Sequence, residues 1–224
     1  MLYGALPDGW KMKPSRILVV DDHPMVRDWL AAMINREPDL AVVAEAGSAA
    51  EALACVAADL PDLAIVDLTM KDSHGTELIR ELAERYPQLP MLVVSMHDES
   101  LYGERAIRAG AKGYITKQEA AGAIRAAIRR VLSGQYHLSD ALAAKMIRAA
   151  AGRTTAATVE LSDRQLVVVR LFGSGLSTAQ IAGEMKLSIK TVEGYVARIK
   201  KKLNLASAGE VLKYAIEFNK EHGA

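Results

Sequence analysis

Five short apolar runs, at residues 16–21, 40–45, 62–67, 90–95 and 112–116, alternate with longer amphipathic stretches beginning near Pro24, Ser48, Gly75, Ser100 and Gln118. Runs of this length suit strands, and their near-continuous apolarity suits strands covered on both faces. Strands and helices alternating at this spacing predict a (βα)5 unit, a parallel sheet with helices on both sides. The constraint is strong because parallel strands need a crossover between them, and each amphipathic stretch supplies one.

In such a sheet the carboxyl ends of the strands share one edge, where ligands bind. Four strand ends there carry reactive side chains. Ile17-Leu18-Val19-Val20 runs into Asp21-Asp22, and Leu63-Ala64-Ile65-Val66 into Asp67. Met91-Leu92-Val93-Val94 ends on Ser95, and Gly113-Tyr114-Ile115-Thr116 on Lys117. Taken alone, Asp22 before His23-Pro24 reads as a helix cap, since Asp favours that position and Pro the first turn. Taken together, three carboxylates, a hydroxyl and an ammonium converge on one spot. Crowded carboxylates repel unless they share a hard cation, and Mg²⁺ prefers oxygen ligands while keeping waters that a phosphoryl oxygen can displace. Asp67 is then placed as a nucleophile forming an aspartyl phosphate, with Lys117 and Ser95 positioned to bind the phosphoryl oxygens.

The second part of the chain changes character. Residues 139–151, opened by Ser139, read as an alanine-rich helix, and Gly152 to Thr158 as a linker of small polar residues. Beyond it, residues 161–219 show no strand-like alternation and carry three helix starts. Ser162 with Gln165 and Ser177 with Gln180 are capping boxes, and Ser188 is a simple N-cap. The short Leu187-Ser188 connection suits a helix-turn-helix, and a fourth helix is expected over about 207–219.

The whole chain has net charge +1, yet residues 1–159 carry 18 Lys+Arg against 20 Asp+Glu (−2), and residues 160–224 carry 10 against 7 (+3). A basic tail domain suggests a polyanionic partner. No apolar run is long enough to span a bilayer. No secretory leader is evident, and the lone Cys55 has no internal disulfide partner, so a reducing cytoplasm is expected. Cys55 lies at helical spacing among Leu53, Val56 and Leu60 and reads as a small core residue. Met1 to Lys13 read as an extension, with Met12 a candidate start.

Val-Asp21-Asp22-His-Pro, Val-Asp67-Leu-Thr-Met, Val-Ser95-Met-His and Gly-Tyr114-Ile-Thr-Lys117 resemble, in order and spacing, the motifs of bacterial response-regulator receivers. The resemblance implies a flavodoxin-like, doubly wound domain in which Asp67 accepts a phosphoryl group from a sensor histidine kinase. It implies Mg²⁺ held by Asp21, Asp22, Asp67 and the backbone carbonyl of Thr69. It also implies a switch pair, Ser95 and Tyr114, whose hydroxyl moves toward the phosphate while the ring turns inward. Thr69 and His97 stand where such proteins tune phosphate lifetime. Lys71 departs from the family, which usually has proline there, and a looser loop with altered Mg²⁺ affinity or phosphate lifetime is the expectation.

Leu161-Ser-Asp-Arg-Gln, Gly175-Leu-Ser-Thr-Ala-Gln-Ile-Ala182, Leu187-Ser-Ile-Lys-Thr191-Val192 and Ile199-Lys-Lys-Lys-Leu203 resemble the LuxR-type helix-turn-helix of NarL/FixJ response regulators. Val192, Val196, Ile199 and Leu203 recur at helical spacing and should face the core. Lys190, Thr191, Glu193, Gly194, Ala197, Arg198, Lys200 and Lys201 are the candidate DNA contacts, with Lys190, Arg198, Lys200 and Lys201 assigned to phosphates. Glu193, where lysine is common, suits a cytosine amino group better than a phosphate. Gly194 inside a helix costs about 1 kcal/mol relative to alanine, which close approach to the groove would justify. Tyr195, where histidine is common, either packs inward or touches a phosphate.

The expected layout is an extension (1–15), a receiver (16–133), an extra helix and linker (134–159) and a DNA-binding domain (160–224). The expected function is phosphorylation-dependent transcription regulation, without enzymatic turnover. The receiver would mask or misplace the recognition helix until phosphorylation favours a homodimer on double-stranded DNA, with RNA polymerase as a further partner. Val211, Leu212 and Ala215 form a stripe suited either to dimer contact or to burial in their own domain. Two readings compete. A phosphorylation-independent or ligand-gated regulator keeps the fold. A Mg²⁺-dependent phosphohydrolase generally needs a second acid two residues beyond its nucleophile, where this chain has Thr69.

Overall fold

The structure is a computed structural model that describes residues 13–70, 75–150 and 161–221. The expected extension, Lys71 and the Gly152–Thr158 linker lie largely or wholly outside them. Five parallel strands form one sheet: β1 (Ser15–Val20), β2 (Leu40–Ala46), β3 (Leu63–Val66), β4 (Met91–Ser95) and β5 (Gly113–Thr116), in spatial order β2-β1-β3-β4-β5. The crossovers are α1 (Pro24–Ile34), α2 (Ala49–Ala58), α3 (Gly75–Arg85) and α4 (Glu99–Ala109), and α5 (Ala121–Leu132) follows β5.

Alternation along each strand divides the core. Ile17, Val19, Ile65, Leu92 and Val94 pack with Leu30, Ile34, Ile124 and Ile128 from α1 and α5. Leu18, Val20, Ala64, Val66 and Val93 point the other way, to Val56, Ile79, Leu82 and Ala106 from α2, α3 and α4. Every second side chain thus goes to the opposite face, and both faces are dry. Cys55 packs partly buried against the second face.

After α5 the chain turns back to the sheet edge. The His137 N–H donates to the Lys112 carbonyl at 3.0 Å, and the Tyr114 N–H donates to the His137 carbonyl at 3.0 Å. Helix α6 (Asp140–Ala150) then lies on α4, with Ser139 as its cap: the Ser139 side chain accepts from the Leu142 N–H at 3.1 Å. Leu142 seats over Gly103, where a Cβ would come within 2.6 Å of Leu142 Cδ2.

The C-terminal part is all helical: α7 (Asp163–Gly173), α8 (Thr178–Glu184), α9 (Ile189–Leu203) and α10 (Ala208–Glu221). Both expected capping boxes are formed, and the Ser188 side chain accepts from the Thr191 N–H. Val192 and Ile199 of α9 are buried, with Val196 and Leu203 half-buried beside them. The α10 stripe divides: Val211 and Ala215 are fully buried in their own domain, whereas Leu212 is exposed, as is Ile216 outside the stripe. The helix α10 packs chiefly on α7 through its inner face.

Candidate functional site

Backbone ladder bonds continue past the strand ends and fix the three charged residues relative to one another. The Asp21 N–H donates to the Ala46 carbonyl at 3.0 Å, the Asp67 N–H to Val20 at 2.9 Å and the Lys117 N–H to Ser95 at 2.8 Å. The Lys117 ammonium therefore reaches both acids, donating to Asp67 Oδ2 at 2.8 Å and to Asp21 Oδ2. All three side chains are at least nine-tenths buried. Asp22 joins them at the rim. Asp22 is not the helix cap: that position falls to His23, whose side chain makes no capping bond.

Three carboxylates against one ammonium leave a buried excess of negative charge, which bears on Asp67 and Lys117. Burial pushes the Asp67 carboxyl above its ordinary range, with Asp21 adding to this and Lys117 opposing it. Lys117 is pushed up as well: burial works against its charge, but Asp67 and Asp21 together outweigh that. The two directions are compatible, since one cation has two anionic neighbours while each anion shares a single cation. Asp67 Oδ1 is buried with no hydrogen-bond partner. A buried carboxylate oxygen without a partner is an acceptor that a cation can satisfy. The residues fit a divalent cation.

Ser95 is fully buried, and its hydroxyl bonds to the β4–α4 turn. It accepts from the His97 N–H at 3.4 Å and lies beside the Tyr114 phenol. The Tyr114 ring is turned inward, 2% exposed, and its hydroxyl donates to the His97 carbonyl at 2.9 Å. The structure thus joins Asp21, Asp67 and Lys117 directly. It joins Ser95 and Tyr114 to each other through the β4–α4 turn. The Thr69 backbone N–H approaches the Asp67 carboxylate.

Sequence reasoning missed the contacts that join this site to the helical domain. The Met70 carbonyl, three residues beyond Asp67, accepts from Arg164. Thr76 Oγ1 donates to Asp163 Oδ2 at 2.7 Å, and Arg105 donates to the Leu161 carbonyl and lies 3.6 Å from Asp163 Oδ1. The polar contacts described here therefore land on the start of α7, while Ile189 and Lys190 at the head of α9 are exposed. His97 stacks on Tyr102 with ring centroids 4.8 Å apart. Burial holds His97 down to about 4, with the Arg170 charge reinforcing the effect, so it is neutral at pH 7. Only the Ser162-Asp163-Arg164 sequence hinted at this region, and there it read as a cap.

On α9, Lys190, Glu193, Ala197, Arg198 and Lys201 are exposed, and Thr191, Gly194 and Lys200 half-exposed. Glu193, Ala197, Lys200 and Lys201 line an open cleft of about 590 Å³ with Phe172 and Thr178. Tyr195 packs against the core, and the Arg198 guanidinium lies 5.0 Å over its ring. A Cβ on Gly194 would meet only the Arg198 side chain, at 3.6 Å, so packing inside the domain does not require glycine.

A doubly wound sheet with a lysine-bridged acidic edge, followed by a helix-turn-helix module, defines a two-part signalling protein that couples a receiver to a DNA-binding domain. Comparison with known proteins agrees. Residues 17–129 match the response regulator receiver domain, and residues 159–215 match the bacterial regulatory proteins of the luxR family. The chain is 35% identical over 210 residues to the DNA-binding transcriptional activator DevR/DosR of Mycobacterium tuberculosis, covering 92% of this chain and 95% of that protein. It is 36% identical over 204 residues to the transcriptional activator protein ExaE of Pseudomonas putida, covering 90% and 95%. A LuxR-family two-component response regulator from Aurantimonas sp. SI85-9A1 superposes with TM-score 0.57 at 34% identity, over 62% of this chain and 99% of that one. The chain belongs to the NarL/FixJ family of two-component response regulators.

Proposed function

We propose that the protein is a cytoplasmic response regulator whose binding to double-stranded DNA is switched by phosphorylation at Asp67. An Asp67 oxygen attacks the phosphorus of a phosphohistidine on a sensor histidine kinase. The P–N bond breaks, and the departing imidazole takes up a proton. The observation that carries this reading is the Lys117 ammonium shared by two buried carboxylates at adjoining strand ends, with Asp67 Oδ1 unpaired. Asp21, Asp22, Asp67 and the Thr69 carbonyl would hold Mg²⁺, which when bound offsets the charge of the phosphoryl oxygens. Lys117 binds one of those oxygens, and Ser95 turns its hydroxyl proton toward another. Tyr114 already occupies the inward position.

The same loop carries the signal onward. Met70 is bonded to Arg164, so movement around Asp67 pulls on the start of α7, loosens the Asp163 contacts and frees the helical domain to pair on DNA. In that homodimer each α9 enters a major groove, with Lys190, Arg198, Lys200 and Lys201 on phosphates and Glu193, Gly194 and Ala197 near base edges. Contact with RNA polymerase follows at the promoter. The layout 16–133, 134–159 and 160–224, after an extension 1–15, accommodates these roles. The protein turns nothing over; the phosphoryl group is a signal.

The test is intact mass after incubation with Mg²⁺ and acetyl phosphate. One phosphoryl adduct on the parent and none on Asp67→Ala is expected. An adduct retained by Asp67→Ala, or none on either protein, overturns the reading.

A further inference from the structure

The acidic edge contains a donor that Mg²⁺ does not use. His23 stands at the N-cap of α1, where a polar side chain ordinarily accepts a bond from the first turn, yet it makes none. Its imidazole is turned toward the acids instead, with Nδ1 2.7 Å from Asp22 Oδ1 and 3.3 Å from Asp21 Oδ1. The His23 N–H also donates to Asp21 Oδ1 at 2.9 Å. One donor atom each from Asp21, Asp22, His23 and Asp67 lie within 4.8 Å of one another. That spread needs only a modest contraction to close around a single ion. Independently, Asp67 Oδ1 is buried and unpartnered, an acceptor held ready in the same cluster.

We propose that His23 makes this edge a mixed nitrogen–oxygen site, selective for a borderline first-row dication of the Zn²⁺ class over Mg²⁺. The inference rests on the acidic edge being the cation site of the receiver. Imidazole suits zinc, copper and nickel, whereas magnesium gains little from nitrogen. An ion gripped by three carboxylates and an imidazole has fewer open positions than one gripped by oxygens alone. Zinc occupancy therefore competes with phosphoryl acceptance at Asp67.

The full-length protein would be titrated calorimetrically with MgCl₂ and, against a chelator, with ZnCl₂, as parent, His23→Asn and Asp67→Asn. His23→Asn should lower zinc affinity about tenfold or more, the scale on which metal-site substitutions act. It should change magnesium affinity by less than about twofold, because every oxygen ligand remains. Cu²⁺-loaded parent should show imidazole nitrogen coupling by pulsed electron paramagnetic resonance, lost in His23→Asn. Zinc should suppress the acetyl phosphate adduct more in the parent than in His23→Asn. Zinc affinity unchanged by His23→Asn, or nitrogen coupling that survives it, would overturn the proposal. Asp67→Asn separates the two readings: loss of magnesium binding there, with zinc indifferent to His23, leaves the receiver site standing and removes only the imidazole.

Discussion

Gly75 opens α3, and its position leaves no room for a side chain. A Cβ built there lies 2.4 Å from the Asp67 carbonyl oxygen and 2.5 Å from Leu68 Cα. Favourable non-bonded separations are about 3.5 Å or more, so roughly 1 Å of movement is required. The obstacle is backbone, which cannot rotate away, and Gly75 is tied to it by its own N–H donating to the Leu68 carbonyl at 3.1 Å. Overpacking a tight core costs about 1–3 kcal/mol, and a backbone obstacle puts Gly75→Ala near the upper end. For a chain of this size about 3 kcal/mol is a fall of roughly 6–12 °C in Tm. Because the displaced atoms belong to Asp67 and Leu68, magnesium affinity and the yield of phosphoryl adduct should fall as well. Gly183→Ala in α8 is the control: nothing lies within 4 Å of its Cβ, so the same change should be neutral or stabilising. Differential scanning calorimetry and magnesium titration of both variants decide the matter. A Gly75→Ala protein with parental Tm and magnesium affinity would refute the steric argument.

Four further outcomes are expected. Asp67→Asn should be more stable than the parent at pH 7 without Mg²⁺, because burial raises the Asp67 pKa and its ionised form weakens the fold. That penalty is absent below the unfolded pKa, where the acid is protonated in both states, and complete once pH has risen through the folded one, so in urea titrations the gap should close near pH 4 and below. His97 is depressed from 6.5 to about 4, so the unfolded chain binds a proton across that window that the native state refuses, and stability drains as pH falls through it. His97→Phe, which keeps the stack on Tyr102, should escape a loss of roughly 2–3 kcal/mol in chemical denaturation between pH 6.5 and 4. Asp163→Ala removes the acceptor of Thr76 and the ion partner of Arg105, and should cost about 1–3 kcal/mol while raising DNA affinity without phosphodonor in a fluorescence anisotropy assay. Gly194→Ala should stabilise α9 by up to about 1 kcal/mol yet weaken DNA binding, and a variant that gained both would show that the glycine serves no groove contact.

The (βα)5 order, the strand-end placement of Asp21, Asp67, Ser95 and Lys117, and the caps of α6, α7, α8 and α9 are all written in local sequence. These are legible because each follows from local periodicity or from a side chain bonding three residues along its own chain. Tertiary structure alone decided what depends on residues distant in sequence. It set Lys117 between Asp21 and Asp67, aimed the Ser95 hydroxyl at the His97 turn, and turned the His23 ring from its helix toward the acids. It buried Val211 and Ala215 of the α10 stripe while leaving Leu212 and Ile216 exposed, since a stripe shows an apolar face but not what covers it. It also joined Met70 to Arg164 and Asp163 to Thr76 and Arg105. A contact across ~90 positions has no periodicity to announce it, and it forms only when two folded surfaces meet.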